Sequence, residues 1–129
     1  MVRRVSEVEV KRLTLNDLAE RFGALELDRN KKVVSKEAPT PFAVESIEGF
    51  KTIRYHATNQ EGEVAEIVVY ELNNDFDMIG EPVLAVVGGA FIVTLLKNMD
   101  NENFEPFACV LQKEPSGKGS YQWRFVDPS

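Results

Sequence analysis

Pro82-Val83-Leu84-Ala85-Val86-Val87-Gly88-Gly89-Ala90-Phe91-Ile92-Val93-Thr94-Leu95-Leu96 is the most apolar stretch of the chain, and how it folds decides the architecture. From Val83 to Leu96 it runs for 14 residues and contains two glycines, whereas a membrane-spanning helix takes ~18 or more apolar residues. A pair of core strands is therefore expected, Val83 to Val87 and Ala90 to Leu96. They would join or bend at Gly88-Gly89, where the missing Cβ atoms permit a tight turn or a bulge. A single helix through the run is the competing reading. The paired glycines and the run's β-branched residues count against it, because both residue types lower helix propensity.

Outward from this stretch the pattern stays mostly that of strands. Thr52 to Thr58 and Val64 to Leu72 flank the polar, glycine-containing Asn59-Gln60-Glu61-Gly62-Glu63, and Ile67-Val68-Val69-Tyr70 is rich in β-branched residues. Phe107 to Lys113 and Tyr121 to Val126 read as a hairpin around the turn Glu114 to Ser120. On the other side, Phe42-Ala43-Val44 is either a strand or a loop packed on the core. Ala38-Pro39-Thr40-Pro41 is an internal loop, because each proline biases its predecessor away from helix. Ala24 to Lys36 suggests a hairpin turning at Arg29-Asn30, and Val5, Val8 and Val10 suggest an imperfectly alternating strand.

One helix stands out. Thr14-Leu15-Asn16-Asp17 fits a capping box with Asp in the third position, and Leu15, Leu18, Ala19 and Phe22 follow at helical spacing before Gly23, which predicts a helix near 15–22. Leu13 to Gly23 resembles the opening helix of a helix-turn-helix reader. A hairpin pattern stands where the recognition helix belongs, so no family is implied. Seven to nine strands with antiparallel neighbours throughout and one short helix give a mainly β fold, with α+β possible. The expected form is an antiparallel meander closed into a small barrel or a two-sheet sandwich, with the helix at one end or across an open mouth. Residues 1–129 are read as a single domain, large enough to bury one core without disulfides.

The chain carries 15 Lys+Arg and 21 Asp+Glu, a net charge of −6, with one cysteine and one histidine. Those single residues exclude intramolecular disulfides, Cys-rich zinc patterns and His-pair metalloprotease motifs. No apolar segment of secretory type follows Met1 to Glu7, which points to the cytoplasm. Split after Arg54, the charge resolves into +2 before and −8 after. Between Glu71 and Glu105, the carboxylates Glu71, Asp75, Asp77, Glu81, Asp100, Glu102 and Glu105 are opposed only by Lys97. Gathered at one end of a fold, they would attract a basic surface and repel phosphate.

The catalytic candidates are thin. His56 is the one side chain that titrates near neutrality, but it sits mid-strand, where a solvent-facing or hydrogen-bonded histidine is the ordinary case. Cys109 lies in Phe107-Ala108-Cys109-Val110-Leu111, too apolar a setting for a reactive thiolate. Asn73 to Asp77 and Asp100 to Asn103 are oxygen-rich loops that miss the EF-hand register; a cation site shared between them and a carboxylate pair such as Asp75 with Glu102 both depend on distance. Ser116-Gly117-Lys118-Gly119-Ser120 lacks the spacing of a phosphate-binding loop. Gly88-Gly89 lacks the third glycine of a dinucleotide fingerprint, and a strand is expected after it where that fingerprint has a helix.

By subtraction, the chain is expected to be no enzyme, to need no cofactor or metal, and to be a soluble protein-binding, assembly or inhibitor-type domain. The acidic residues between 71 and 105 would dock a basic protein surface. The alternative is a single-strand nucleic-acid binder using Arg3, Arg4, Lys11, Arg12, Lys31, Lys32 and Trp123, with Arg29 on the same basic side. Tyr121, Trp123 and Phe125 share one strand face, which equally describes a strand facing the core. A ligand-binding or enzymatic barrel is the third reading and requires a concave pocket. Edge strands could also pair two copies of the chain.

Overall fold

The structure, a computed structural model, describes residues 13–34, 39–54, 59–117 and 119–128. The elements in chain order are α1 (Leu15–Phe22), β1 (Leu25–Glu26), β2 (Phe42–Arg54), β3 (Glu61–Leu72), β4 (Met78–Gly88), α2 (Ala90–Asn101), β5 (Phe107–Pro115) and β6 (Tyr121–Val126). The six strands follow the order β1-β5-β2-β3-β4, with β6 also on β5. The mainly β expectation is met: the sheet curls into a half-barrel and two helices accompany it.

β2 and β3 form the frame, paired antiparallel from Phe42↔Glu71 to Arg54↔Glu61. The register shifts between Val44 and Ser46 and again between Ile47 and Gly49. Bulges of this kind add local twist and bend the strand. They also explain why β2 is one long strand where the alternation suggested separate segments at Phe42–Val44 and Thr52–Thr58, since each inserted residue breaks the period of two. Residues 55–58 lie outside the described residues, as does the strand expected around Val5 to Val10.

The decisive stretch divides differently from its sequence reading. Val83 to Val87 is strand, as expected, but Ala90 to Leu96 belongs to α2, so the described residues hold two helices where one was expected. Gly89 has φ +102°, a conformation that β-branched and other bulky residues rarely adopt, and it turns the strand directly into the helix. From there Ile92, Val93 and Leu96 are buried while Phe91, Thr94 and Leu95 are exposed, the i, i+1, i+4 pattern of one helical face. Burial of that face outweighs the small propensity penalty of β-branched residues. A helix therefore does follow Gly88-Gly89, although the third glycine of a dinucleotide fingerprint is still missing.

The expectation of antiparallel neighbours throughout is also corrected. β1 pairs parallel to β5 at Leu25↔Gln112 and Glu26↔Lys113, and Leu13 forms a parallel bridge to Ala85. The Ala24–Lys36 hairpin reduces, among the described residues, to one antiparallel bridge, Leu27↔Val33, around a turn whose Asp28 carboxylate accepts from the Asn30 and Lys32 amides. The short parallel contact arises because α1 carries the chain across the mouth of the half-barrel. Leu13 is hydrogen-bonded to the β4 edge at Leu84 and Val86, and β1 emerges on β5. α1 begins at the expected cap: the Thr14 hydroxyl accepts from the Asp17 amide and the Asp17 carboxylate accepts from the Thr14 amide.

Leu18 and Phe22 of α1 and Ile92 and Leu96 of α2 enter the same core as Phe42, Val69, Leu111 and Phe125. The barrel is thus filled by its own helices. Phe91 and Leu95, which fall within the expected core strand Ala90 to Leu96, are exposed instead. Adjacent leucines test which face of α2 is buried. Leu96→Ala, at a fully buried site, is expected to cost about 2–5 kcal/mol, and Leu95→Ala less than about 1 kcal/mol, in urea unfolding.

Candidate functional site

The long β3 strand separates two surfaces. At its C-terminal end the β3–β4 connection, Asn73-Asn74-Asp75-Phe76-Asp77, projects beyond the last sheet pairs. Asn73 organises it: its side-chain oxygen accepts from the Asp75 and Asp77 amides at 2.9 and 3.0 Å, and its carbonyl accepts from the Phe76 amide at 3.0 Å. The loop is a turn followed by a residue in the left-handed region, a hairpin geometry that usually places glycine at that last position. Here the residue is Phe76, with φ 62° and 53% exposed. Met78 and Ile79 on the returning strand are exposed beside it.

Glu71, Asp75, Asp77 and Glu81 lie on this hairpin, all exposed, and none is ion-paired with another described residue. Asp100, Glu102 and Glu105 are likewise exposed and unpaired among the described residues, on the end of α2 and its connection to β5. That connection enters the sheet at Phe107↔Val44, two residues along β2 from the Phe42↔Glu71 pair where the hairpin leaves it. The carboxylates at the opposite end of β3 are treated differently. Glu61 pairs with Arg54, Glu63 with Lys97 and Glu66 with Lys51.

At that opposite end lies an open groove of about 680 Å³. Its walls come from the starts of both helices, at Leu15 and Ala90, from Val64 and Val86 of the sheet, and from Tyr121 and Trp123 of β6. Thr14, Asn16, Ser116 and Gln122 add uncharged polar groups, Phe91 adds a third ring, and among the described residues no carboxylate lines it. Lys113 lies opposite Trp123 in the β5–β6 ladder, with its ammonium 5.4 Å from both the Trp123 and Tyr121 ring centres. Arg124 stands 5.5 Å from the Phe91 ring. Trp123 also packs against the core, and Phe125 is buried within it, so the aromatic strand face is part core and part groove.

Glu114, in the β5–β6 ladder, is 3% exposed and fully engaged. It accepts from Gln112 at 2.8 Å, Gln122 at 2.9 Å and Arg124 at 3.1 Å, with Lys31 at 3.7 Å. These contacts tie the Asp28–Lys32 turn to the hairpin, which extends β5 two residues past the expected Lys113. The Gln122 hydrogen bond, then Arg124, Lys31 and Gln112, hold its carboxyl below the usual range against the opposing effect of burial.

Of the remaining candidates, Cys109 is buried and its thiol is pushed far up by desolvation, which leaves no thiolate for chemistry. Among the described residues no group of three or more His, Cys, Asp or Glu is placed to hold a metal, the two oxygen-rich loops included. The Ser116–Ser120 segment is the expected turn, closed by Ser116 amide to Ser120 carbonyl at 2.8 Å. Lys31 and Lys32 sit on the Asp28 turn, while His56, Arg3, Arg4, Lys11, Arg12 and Lys118 lie outside the described residues. No described helix is long and apolar enough to cross a membrane. The chain matches no family model, no curated protein and no solved structure.

The depressed carboxyl of Glu114 fixes the sign of a pH effect. A carboxylate whose folded value lies below its unfolded value, about 4.3, adds stability above the latter and loses it as pH falls through the former. Glu114→Gln is expected to lower stability at pH 7 by about 1–3 kcal/mol. The deficit relative to the unsubstituted chain should shrink as pH falls below about 4, read from urea midpoints across pH.

Proposed function

We propose that the chain is a non-catalytic protein-binding domain. Its β3–β4 hairpin inserts Phe76, flanked by Met78 and Ile79, into an apolar recess on a partner whose rim is basic. Phe76 carries this reading. A bulky residue held in the left-handed region costs roughly 1–2 kcal/mol relative to glycine, and a half-exposed phenyl ring outside the core clusters recovers only part of that within the fold. Binding can recover it, because aromatic anchors at the centre of an interface supply most of the association energy.

Asp75 and Asp77 on either side of the ring, with Glu71 and Glu81 further back, supply the acidic rim. Rim charges steer encounter and select the partner more than they add affinity. Asp100, Glu102 and Glu105 would extend the same field where the partner reaches the α2–β5 connection.

The strain argument gives opposite signs for stability and binding. Phe76→Gly is expected to raise stability by up to about 1 kcal/mol while weakening partner binding tenfold or more. Asp75→Asn with Asp77→Asn should leave stability within about 0.5 kcal/mol and reduce the salt dependence of association. Urea unfolding reads the stabilities, and quantitative capture from the source organism's extract at low and high salt, with wild-type and variant chains side by side, reads the binding. A captured set unchanged by Phe76→Gly would overturn the proposal.

A further inference from the structure

The groove at the other end of β3 has no role in that binding mode, and its chemistry differs from the rest of the surface. In a chain of net charge −6 it exposes three aromatic rings and four uncharged polar side chains, and no described carboxylate. The neighbouring cations converge on its rings. Lys113 lies over Tyr121 and Trp123 and makes no ion pair with another described residue. Arg124 lies by Phe91, and Arg29 shares with Tyr121 the walls of a smaller depression beside the β5–β6 turn.

We propose that this groove binds a nucleobase together with its phosphate, the base stacking among Tyr121, Trp123 and Phe91 and the phosphate pairing with Lys113. Every base has an aromatic face, so ring platforms accept bases broadly, and a lysine without a carboxylate partner favours an anion. Asn16 can address the hydrogen-bonding edge of the base, while Gln122 and Ser116 are held by Glu114 and Ser120 and shape the wall. A volume of about 680 Å³ suits a ligand of this size.

Net negative charge does not oppose this. From Val64 at the groove to Leu72 at the acidic hairpin the strand rises about 27 Å at ~3.4 Å per residue, roughly three Debye lengths at physiological salt. The acidic hairpin is therefore largely screened from the groove.

The source of the nucleotide is resolved by titrating the full chain with adenosine monophosphate and with a short oligothymidylate, following the fluorescence of Trp123, the only tryptophan. Saturable quenching is expected. Equal affinity for both probes identifies a free nucleotide. Tighter, salt-dependent binding of the oligonucleotide identifies a single strand. Lys113→Gln and Tyr121→Ala should each weaken binding about tenfold. Tyr121→Phe should retain it, which separates loss of the ring from loss of the fold. Absence of quenching by either probe, or unchanged affinity in both Lys113→Gln and Tyr121→Ala, would overturn the proposal.

Discussion

Phe42 stands where the structure is joined. Its backbone pairs with Glu71 on one side and Cys109 on the other, so it links the long β2–β3–β4 ladder to β5. Its ring is fully buried, stacked on Phe22 of α1 at 5.0 Å and met edge-on by Phe125 of β6 at 5.7 Å. β2 pairs with β5 only from Phe42 to Val44, after which the strands separate and the sheet stays open. An open, curled sheet leaves an apolar concave face that water must not reach. The two helices cover it, and both candidate surfaces follow from where they do so. The hairpin projects from the end held by Phe42. The groove forms at the far end, where both helices start and the cover is incomplete.

The charge follows the same division. The two halves of the sequence, +2 and −8, do not form two faces, because β2 and β3 pair and bring Lys51 and Arg54 to Glu66 and Glu61. Exposed pairs of this kind add little stability. Their effect is to neutralise one end of the ladder. The excess negative charge is then left on the hairpin and on the α2–β5 connection. Among the described residues, Lys31, Lys51 and Arg54 of the N-terminal half are ion-paired within the fold, and the cations near the groove come mainly from the C-terminal hairpin, at Lys113 and Arg124.

How much of this was legible in the sequence depends on whether local or distant contacts set each element. The cap and period of α1 are local, and the helix begins and ends where Thr14 and Gly23 place it. β6 and most of β3 were equally readable from β-branched and aromatic content. α2 was not, because Ile92, Val93 and Thr94 favour strand locally and only the concave face of the distant sheet rewards their helical arrangement. The parallel β1 contact is two residues long and has no pattern to detect. Among functional residues, the acidic set and Trp123 were visible as composition and alternation. Phe76 was not singled out, although Asn73 three residues before it and the polar turn around it carry the signal of a hairpin loop that normally calls for glycine.

The free edges of the sheet bear on which surface forms contacts. The outer edge of β4 is covered at Leu84–Val86 by the Leu13 backbone, and Pro82 offers no amide for a further strand. On β2, the stretch beyond Val44 has no strand partner on its outer side among the described residues, but it carries both bulges and the exposed Lys51 and Arg54. Covered edges, prolines, bulges and outward lysines are the devices by which sheet proteins block edge-to-edge pairing. At these two edges they weigh against strand addition as the route to a partner or a second copy; β6, by contrast, has β5 as its one strand partner among the described residues. The proposed contacts are made instead by side chains at the two ends of β3, where apolar and aromatic groups are exposed despite the costs in strain and solvation.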